Sequence, residues 1–307
     1  MGYSFTLKHV DVGGTASVVD MSSRDHLIAI GFHNSEHLVK TYHTKTLEAV
    51  QGLATDYSQC LSVKFLPEHQ KIVFLAEDRQ GGIDVCMTDR ELSKIEVITS
   101  YPTGETFRDL VIDHDRHMLF VVGHDIEVWD IKTWTKRKSM VFNDGTPKQA
   151  VLVASKNELL VSGAEQNALL LFAGADDFDT PSKIEIPFDD CKQLLVAPDN
   201  KRVLVSQPGM AGAALYDTDR YTRVLQDRFN EATLKTHYLF IDTSEHVFRI
   251  GKARCSLLNL KTNETIRGPK YDAGRIYDSC SAVVDDYRSF GFIDEHEKLF
   301  QVDVFAL

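Results

Sequence analysis

Three residues with metal-ligating side chains, His114, Asp115 and His117, lie within one short polar stretch of the chain. Imidazole and carboxylate groups are common ligands of transition metals, so a metal site is one interpretation of this cluster. The stretch separates two apolar, strand-like segments, and alternation of side chains would direct His114 and His117 to different sides. We therefore expect a solvated hairpin turn at residues 113–116 and no metal ligands.

The acidic run Asp176, Asp177 and Asp179 is a second candidate, because clustered carboxylates can bind calcium. No glutamate follows at the distance that a calcium loop requires, so we expect a solvated loop. The sequence also contains no phosphate-binding glycine loop, no G-x-S-x-G nucleophile turn and no H-E-x-x-H pair. We therefore predict no cofactor, no catalytic residue and no metal site.

The five cysteines, Cys60, Cys86, Cys191, Cys255 and Cys280, are far apart and include no C-x-x-C pair. An odd number in this pattern favours neither a disulfide framework nor a structural zinc site. The N-terminal residues lack a basic segment followed by an apolar one, and no stretch reaches the roughly 18 apolar residues of a membrane helix. We expect buried, reduced thiols in an intracellular protein, cytoplasmic or also nuclear.

The formal net charge of −11 over 307 residues restricts the class of partner. A protein that binds phosphate-rich surfaces generally carries the opposite charge. We therefore expect neither a nucleic acid nor an anionic membrane surface as a partner.

The elements that would position these side chains repeat along the chain. Strand-like segments are separated by polar turns, and no stretch shows helical periodicity over two or more turns. The first hairpin turn of each repeat begins near residues 22, 67, 113, 155, 198, 243 and 285, which are 42 to 46 residues apart. Seven units of about four strands at this spacing are typical of a β-propeller.

The third unit, residues 107–143, carries a family resemblance. A turn at residues 123–125 precedes an alternating strand that ends in Trp129-Asp130, and a Lys-Thr turn follows. This unit resembles a WD40 repeat, and Tyr216-Asp217 stands at the same position in the fifth unit. The resemblance implies one all-β, seven-bladed propeller over residues 1–307. It also implies a non-enzymatic scaffold that binds other proteins, as a monomer or within a hetero-complex.

The two ends of the chain complement each other in this arrangement. The seventh unit reaches Leu307 before it has a fourth strand, and the leading strand of residues 3–9 has no unit of its own. We expect the leading strand to become the outer strand of the seventh unit and to close the ring, because closure protects sheet edges.

A propeller-type hydrolase or lactonase is the alternative function. Such an enzyme needs several carboxylates or histidines that converge on a central channel, which the first strand of each unit would line. Those strands are apolar in this sequence, with Asp20, Lys64, Asp109 and Asp113 as scattered exceptions. The pattern therefore favours a scaffold over an enzyme.

The candidate partner-binding residues lie in the connections from the last strand of one unit to the first strand of the next. They are Asp56, Tyr57, Tyr101, Arg108, Tyr271, Arg275 and Tyr277. Aromatic residues and arginine dominate interface hot spots. Four of these residues are expected to be exposed, namely Tyr57, Arg108, Tyr271 and Arg275. Three neighbouring phenylalanines are expected to be buried, namely Phe107, Phe188 and Phe229.

Acidic residues stand among these candidates. They are Asp56, Glu105, Asp189, Asp190 and Asp272. Opposite charge steers association between proteins. We therefore expect the partner to present a basic or extended peptide segment to this face.

Overall fold

The all-β prediction is confirmed. The computed structural model describes residues 3–141, 145–163, 167–174, 181–187, 191, 193–206, 213–226, 236–241, 243, 245–251, 253–262, 264–285 and 287–306. Over these residues the strands form antiparallel sheets, two 3₁₀ turns occur at Pro67–His69 and Ala154–Lys156, and there is no α-helix. The acidic run at residues 176–179 and the side chains of Phe188, Asp189, Asp190 and Phe229 lie outside the described residues.

Within the described ranges, no helix has the length and apolar character needed to cross a bilayer.

The chain divides into two compact units, Met1–Glu105 with Phe248–Leu307 (unit 1) and Thr106–Val247 (unit 2). The strands of unit 1 are β1 (Tyr3–Asp11), β2 (Thr15–Ser22), β3 (Leu27–His33), β4 (His37–His43), β5 (Ala49–Ala54), β6 (Gln59–Leu66), β7 (Lys71–Glu77), β8 (Ile83–Asp89), β9 (Ile95–Tyr101), β24 (Arg254–Asn259), β25 (Thr265–Lys270), β26 (Ile276–Val284), β27 (Tyr287–Asp294) and β28 (Lys298–Ala306). The division falls within β23 (His246–Ile250).

The strands of unit 2 are β10 (Phe107–Asp113), β11 (Met118–Gly123), β12 (Asp125–Asp130), β13 (Thr135–Val141), β14 (Gln149–Val153), β15 (Glu158–Ser162), β16 (Ala168–Ala173), β17 (Ser182–Glu185), β18 (Gln193–Val196), β19 (Arg202–Ser206), β20 (Ala213–Asp217), β21 (Arg223–Gln226) and β22 (His237–Phe240). They form three four-stranded meanders, β10 to β13, β14 to β17 and β18 to β21. A fourth sheet has the order β22 to β25. These sheets follow the period predicted from the sequence.

The predicted pairing of the N-terminal strand is confirmed. Strand β1 pairs antiparallel with β28 at nine positions, from Tyr3 opposite Ala306 to Asp11 opposite Lys298. The resulting sheet has the order β1-β28-β27-β26, so the beginning and the end of the chain share one sheet.

The first two predicted units are not separate sheets. A single bridge, His33 opposite Gln59, joins the β2 to β5 strands to the β6 to β9 strands in one eight-stranded sheet. Two further hydrogen bonds accompany this bridge, from the N–H of Asn34 to the carbonyl of Ser58 and from the hydroxyl of Ser17 to the carbonyl of Cys60. The first two predicted repeats therefore merge into one sheet at one end of their strands.

The first hairpins of the predicted repeats share one backbone feature. Among the described residues, non-glycine residues with positive φ occur in these turns at His26, Gln70, His117, Asn157, Asn200 and Asp285. His117, at φ 54°, is therefore a turn residue. Asp113 is buried and accepts hydrogen bonds from the main-chain N–H of Arg116 at 3.1 Å and from its guanidinium at 2.9 Å. These contacts give the cluster at residues 113–117 a structural role in the turn.

The Trp129-Asp130 pair fixes the turn after β12. The indole of Trp129 donates to Glu127 Oε2 at 2.9 Å, and Glu127 accepts a second bond from Lys136. Asp130 accepts the N–H groups of Lys132 and Thr133 and pairs with Arg137. The Arg137 hydrogen bond is the main cause that lowers the pKa of Asp130 to about 2. Both side chains thus act locally, within their own hairpin.

All five cysteines are free and buried, as predicted. Burial is the main cause that raises the pKa of the Cys86 and Cys255 thiols to about 12. Since the thiolate is the reactive form, we expect the native protein to react slowly with an aromatic disulfide reagent. All five thiols should react after unfolding without reductant. Rapid reaction of the native protein, or fewer than five thiols after unfolding, would contradict this prediction.

Candidate functional site

Three inner strands of unit 1, β26, β2 and β6, lie side by side and set the position of the candidate site. Asp278 Oδ2 accepts the N–H of Val19 at 2.9 Å, and Asp20 Oδ2 accepts the N–H of Phe65 at 2.9 Å. Each carboxylate thus joins its own strand to the next one. Because the strands are aligned in this way, the segments that precede them reach the same end of the unit.

We call this end the loop end of unit 1. It comprises residues 12–14, 34–36, 55–58, 78–82, 271–275 and 295–297. Main-chain hydrogen bonds join neighbouring segments, including Ser58 N–H to Glu77 O, Val12 N–H to Glu297 O and Glu295 N–H to Arg275 O, all at 2.8 to 2.9 Å. Loops that are tied together in this way can present side chains in fixed positions.

Asp294 organises one part of the loop end. Its side chain is buried and accepts the N–H groups of Gly274 at 2.8 Å, His296 at 3.1 Å and Lys298 at 3.1 Å. One carboxylate therefore fixes both the segment before β26 and the turn between β27 and β28. Asp294 is not among the residues predicted from the sequence, although an aspartate followed by a polar stretch is a signal for such a turn.

The prediction that Tyr57 is an exposed contact is wrong. Its ring is half-buried against the core of the β2 to β9 sheet, and its hydroxyl donates to Asp84. Burial, followed by this hydrogen bond, raises the pKa of the Tyr57 phenol well above its usual range. Tyr57 therefore anchors the 55–58 segment, and its neighbour Asp56 is exposed.

Tyr271 is likewise an anchor, which corrects the prediction that it is exposed. Its hydroxyl donates to the carbonyl of Gly251 at 2.7 Å, and its half-buried ring contacts Phe292 and Phe300 at centroid distances of 5.3 and 5.6 Å. Tyr101 is buried as well. Tyr57, Tyr271 and Tyr101 therefore pack toward the interior and support the loops of this end.

Arg275 and Tyr277 are the predicted residues of unit 1 that do project outward, together with Asp56. Arg275 is exposed, and 41% of Tyr277 is accessible. Tyr277 is the extra residue of a β-bulge between Ile276 and Asp278. A bulge re-aims a side chain that regular alternation would direct elsewhere.

Arg108 belongs to unit 2 and, like Tyr277, lies in a β-bulge. It is exposed and is the extra residue of a bulge between Phe107 and Asp109. Phe107 is buried, as predicted. Six of the seven predicted residues therefore lie in unit 1, and Arg108 lies in unit 2. Among the six, Tyr57, Tyr101 and Tyr271 are buried or half-buried.

The exposed charges of the loop end of unit 1 are mostly negative. The exposed acidic residues are Glu36, Asp56, Asp272, Glu295 and Glu297, and the exposed arginines are Arg79 and Arg275. This excess of exposed carboxylates over arginines favours a partner with basic residues, and the exposed tyrosine and arginine are residue types that are enriched in interface hot spots.

The polar residues of the inner strands have structural partners. Besides Asp20 and Asp278 in unit 1, the side chain of Gln149 accepts the N–H of Leu194 at 3.1 Å in unit 2. Gln193 accepts the N–H of Tyr238 at 2.9 Å. Asp109 accepts the N–H of Leu110, and Lys64 is half-buried. This repeated use of side chains to join adjacent inner strands was not predicted from the sequence.

Unit 1 also contains a groove of about 910 Å³ between β1 and the β4–β5 hairpin. Its two lysines already have partners, since Lys8 donates to the carbonyl of Lys45 and to Asp303, while Lys40 donates to the carbonyl of Val12. Asp11 and Glu48 also line the groove. The balanced charges indicate no particular class of ligand.

A search against protein-family models gives no match, and a search against curated proteins gives no relative. The resemblance to WD40 repeats therefore rests on the residues and spacing described above.

Proposed function

We propose that the chain is a seven-bladed propeller of the WD40 type, closed by β1, and that it acts as a non-enzymatic scaffold. It binds a basic segment of another protein at the loop end of unit 1. The observation that carries this proposal is the exposed pair Arg275 and Tyr277, beside anchored loops at an end of the unit that carries five exposed carboxylates. The four-stranded meanders and the pairing of β1 with β28 support the propeller.

The partner can be identified by placing a photo-crosslinking amino acid at Tyr277 in the full chain. The matched control carries the same group at Arg24, an exposed residue in the hairpin at the opposite end of β2. Partners captured at position 277 and not at position 24 are then purified and tested for direct binding.

The double variant Arg275→Ala and Tyr277→Ala should bind the purified partner at least about tenfold more weakly, since exposed aromatic and arginine anchors dominate interface energetics. An Arg24→Ala variant should bind like the unmodified chain. Isothermal titration calorimetry measures both affinities, and equal melting temperatures verify that the variants fold. Unchanged affinity of the folded double variant would contradict the assignment of this surface.

A further inference from the structure

Unit 2 contains a cavity of about 450 Å³ that the proposed function does not use. It lies between the outer strand β17 and the β20–β21 hairpin. Its lining includes Lys183, Glu185, Tyr216, Arg220, Tyr221 and Arg223. Two aromatic rings and three basic side chains thus share one concave surface.

The hairpin that forms one wall of this cavity is held in place. Tyr221 has φ 53°, and its hydroxyl donates to Glu158 Oε2 at 2.6 Å. Lys156 lies over the Tyr221 ring with its amine 5.0 Å from the centroid, pairs with Glu158 at 3.2 Å and donates to the carbonyl of Thr218 at 2.6 Å. This network crosses from the β14–β15 hairpin to the β20–β21 turn, so the two arginines beside Tyr221 project from a fixed backbone.

The other wall is fixed by Tyr216. Its hydroxyl donates to the main-chain carbonyl of Glu185 at 3.2 Å, which connects β20 to β17 below the cavity. Burial is the main cause that raises the pKa of Tyr216 to about 12. Hydrogen bonds within the protein therefore hold both walls of the cavity in place.

The charge of the cavity is opposite to that of the chain. Among the described residues that line it, Lys183, Arg220 and Arg223 are basic and Glu185 is acidic, whereas the whole chain has a net charge of −11. Arg220 and Arg223 are exposed, and neither forms an ion pair with another described residue.

Two aspartates on the same hairpin must also be considered. Asp217 accepts hydrogen bonds from the Arg220 N–H and the Thr222 hydroxyl, so it is used within its own turn. Asp219 is exposed on that turn and does not line the cavity. The arginine side chains consequently remain the dominant charges of the cavity.

We propose that this cavity, which we call the basic groove, binds an anionic peptide segment of a partner protein. The guanidinium fork matches the oxygens of phosphate and carboxylate groups, and two such forks beside tyrosine rings suit phosphorylated or acidic side chains on an extended chain. This site is separate from the loop end of unit 1. It is proposed to bind an anionic ligand, whereas the loop end is proposed to bind a basic one.

The test uses the full chain and synthetic peptides, with binding measured by isothermal titration calorimetry. One peptide carries two adjacent phosphoserines in a glycine-serine background, a second carries glutamates at those positions, and a third carries unmodified serines. We expect the first or the second to bind and the third not to bind. The tighter of the two identifies phosphate or carboxylate as the anion.

The double variant Arg220→Ser and Arg223→Ser should weaken this binding at least about tenfold, because it removes both guanidinium groups from the groove. The matched control, Lys132→Ser with Lys201→Ser, removes the same charge from two exposed positions of unit 2 outside the groove and should change the affinity by less than about twofold.

Four results would overturn the proposal. They are no binding of either anionic peptide, equal binding of the unmodified peptide, equal weakening by the Lys132 and Lys201 control, and equally tight binding of a single-stranded oligonucleotide. The third result would mean that general attraction causes the binding, and the fourth that the site does not select a peptide. Because no loop-end residue is altered, failure here leaves the proposed scaffold function untouched.

Discussion

Deletion of residues 1–10 is expected to lower the free energy of unfolding by at least about 4 kcal/mol, because it removes an entire strand from the sheet that also holds the end of the chain. Strand β1 pairs with β28 along nine residue positions. Its loss would expose one edge of β28 and uncover Phe300, on which His9 packs at a centroid distance of 5.7 Å.

The deletion also removes two partners of a buried charge. Asp303 is buried and accepts hydrogen bonds from Thr6 and Lys8 at 3.3 Å, as well as from Ser289 and Gln301 at 2.7 and 2.8 Å. A buried carboxylate that loses its cation and one donor is strongly destabilising.

Thermal unfolding of the full and truncated chains measures this effect. A synthetic peptide of residues 1–11, added in excess, should restore much of the lost stability by re-forming the β1–β28 pairing, while a peptide with Leu7→Pro should not. Equal melting temperatures of the full and truncated chains would show that β1 contributes nothing to the fold.

Replacement of Asp294 by alanine is expected to cost on the order of 3 kcal/mol, since it leaves three main-chain N–H groups without their acceptor. It should also loosen the segment before β26 and the β27–β28 turn. Binding at the loop end should therefore weaken, although Asp294 itself is buried and cannot touch a partner.

Two measurements separate these effects. Chemical denaturation gives the free energy of unfolding, and hydrogen exchange of residues 271–277 and 295–298 reports the loosening of the loops. Asp272→Ala is the matched control, because Asp272 is exposed on the same segment and forms no hydrogen bond or ion pair with another described residue. If Asp294→Ala and Asp272→Ala had equal stability and equal exchange, Asp294 would not organise the loop end.

Several elements of this fold could be predicted from the sequence because their causes are local. Alternation of apolar and polar residues indicates strands, and turn residues at a regular spacing indicate hairpins. The six turns with a positive-φ residue lie at the predicted positions, including His117 and Asn157. The pairing of β1 with β28 was also predictable, since the last repeat lacked one strand and the N-terminus supplied one.

The candidate site was only partly predictable. The sequence indicated which loops carry aromatic residues and arginine, yet it could not tell an exposed ring from an anchoring one. Tyr57 is half-buried because Asp84, 27 residues away, lies within reach of its hydroxyl, and Tyr271 because the carbonyl of Gly251 does. No local pattern encodes such contacts.

The strand-rich repeat, the turns, the reduced cysteines and the overall acidity follow from residue types and their spacing along the chain. Tertiary packing sets the use of polar side chains, as Asp278, Asp20 and Asp294 show by accepting main-chain N–H groups from neighbouring segments. It also collected Arg220 and Arg223 with Lys183 in one groove of an acidic chain. The physical reason is that alternation is set by neighbours along the chain, whereas the partner of a carboxylate or guanidinium is set by packing between sheets.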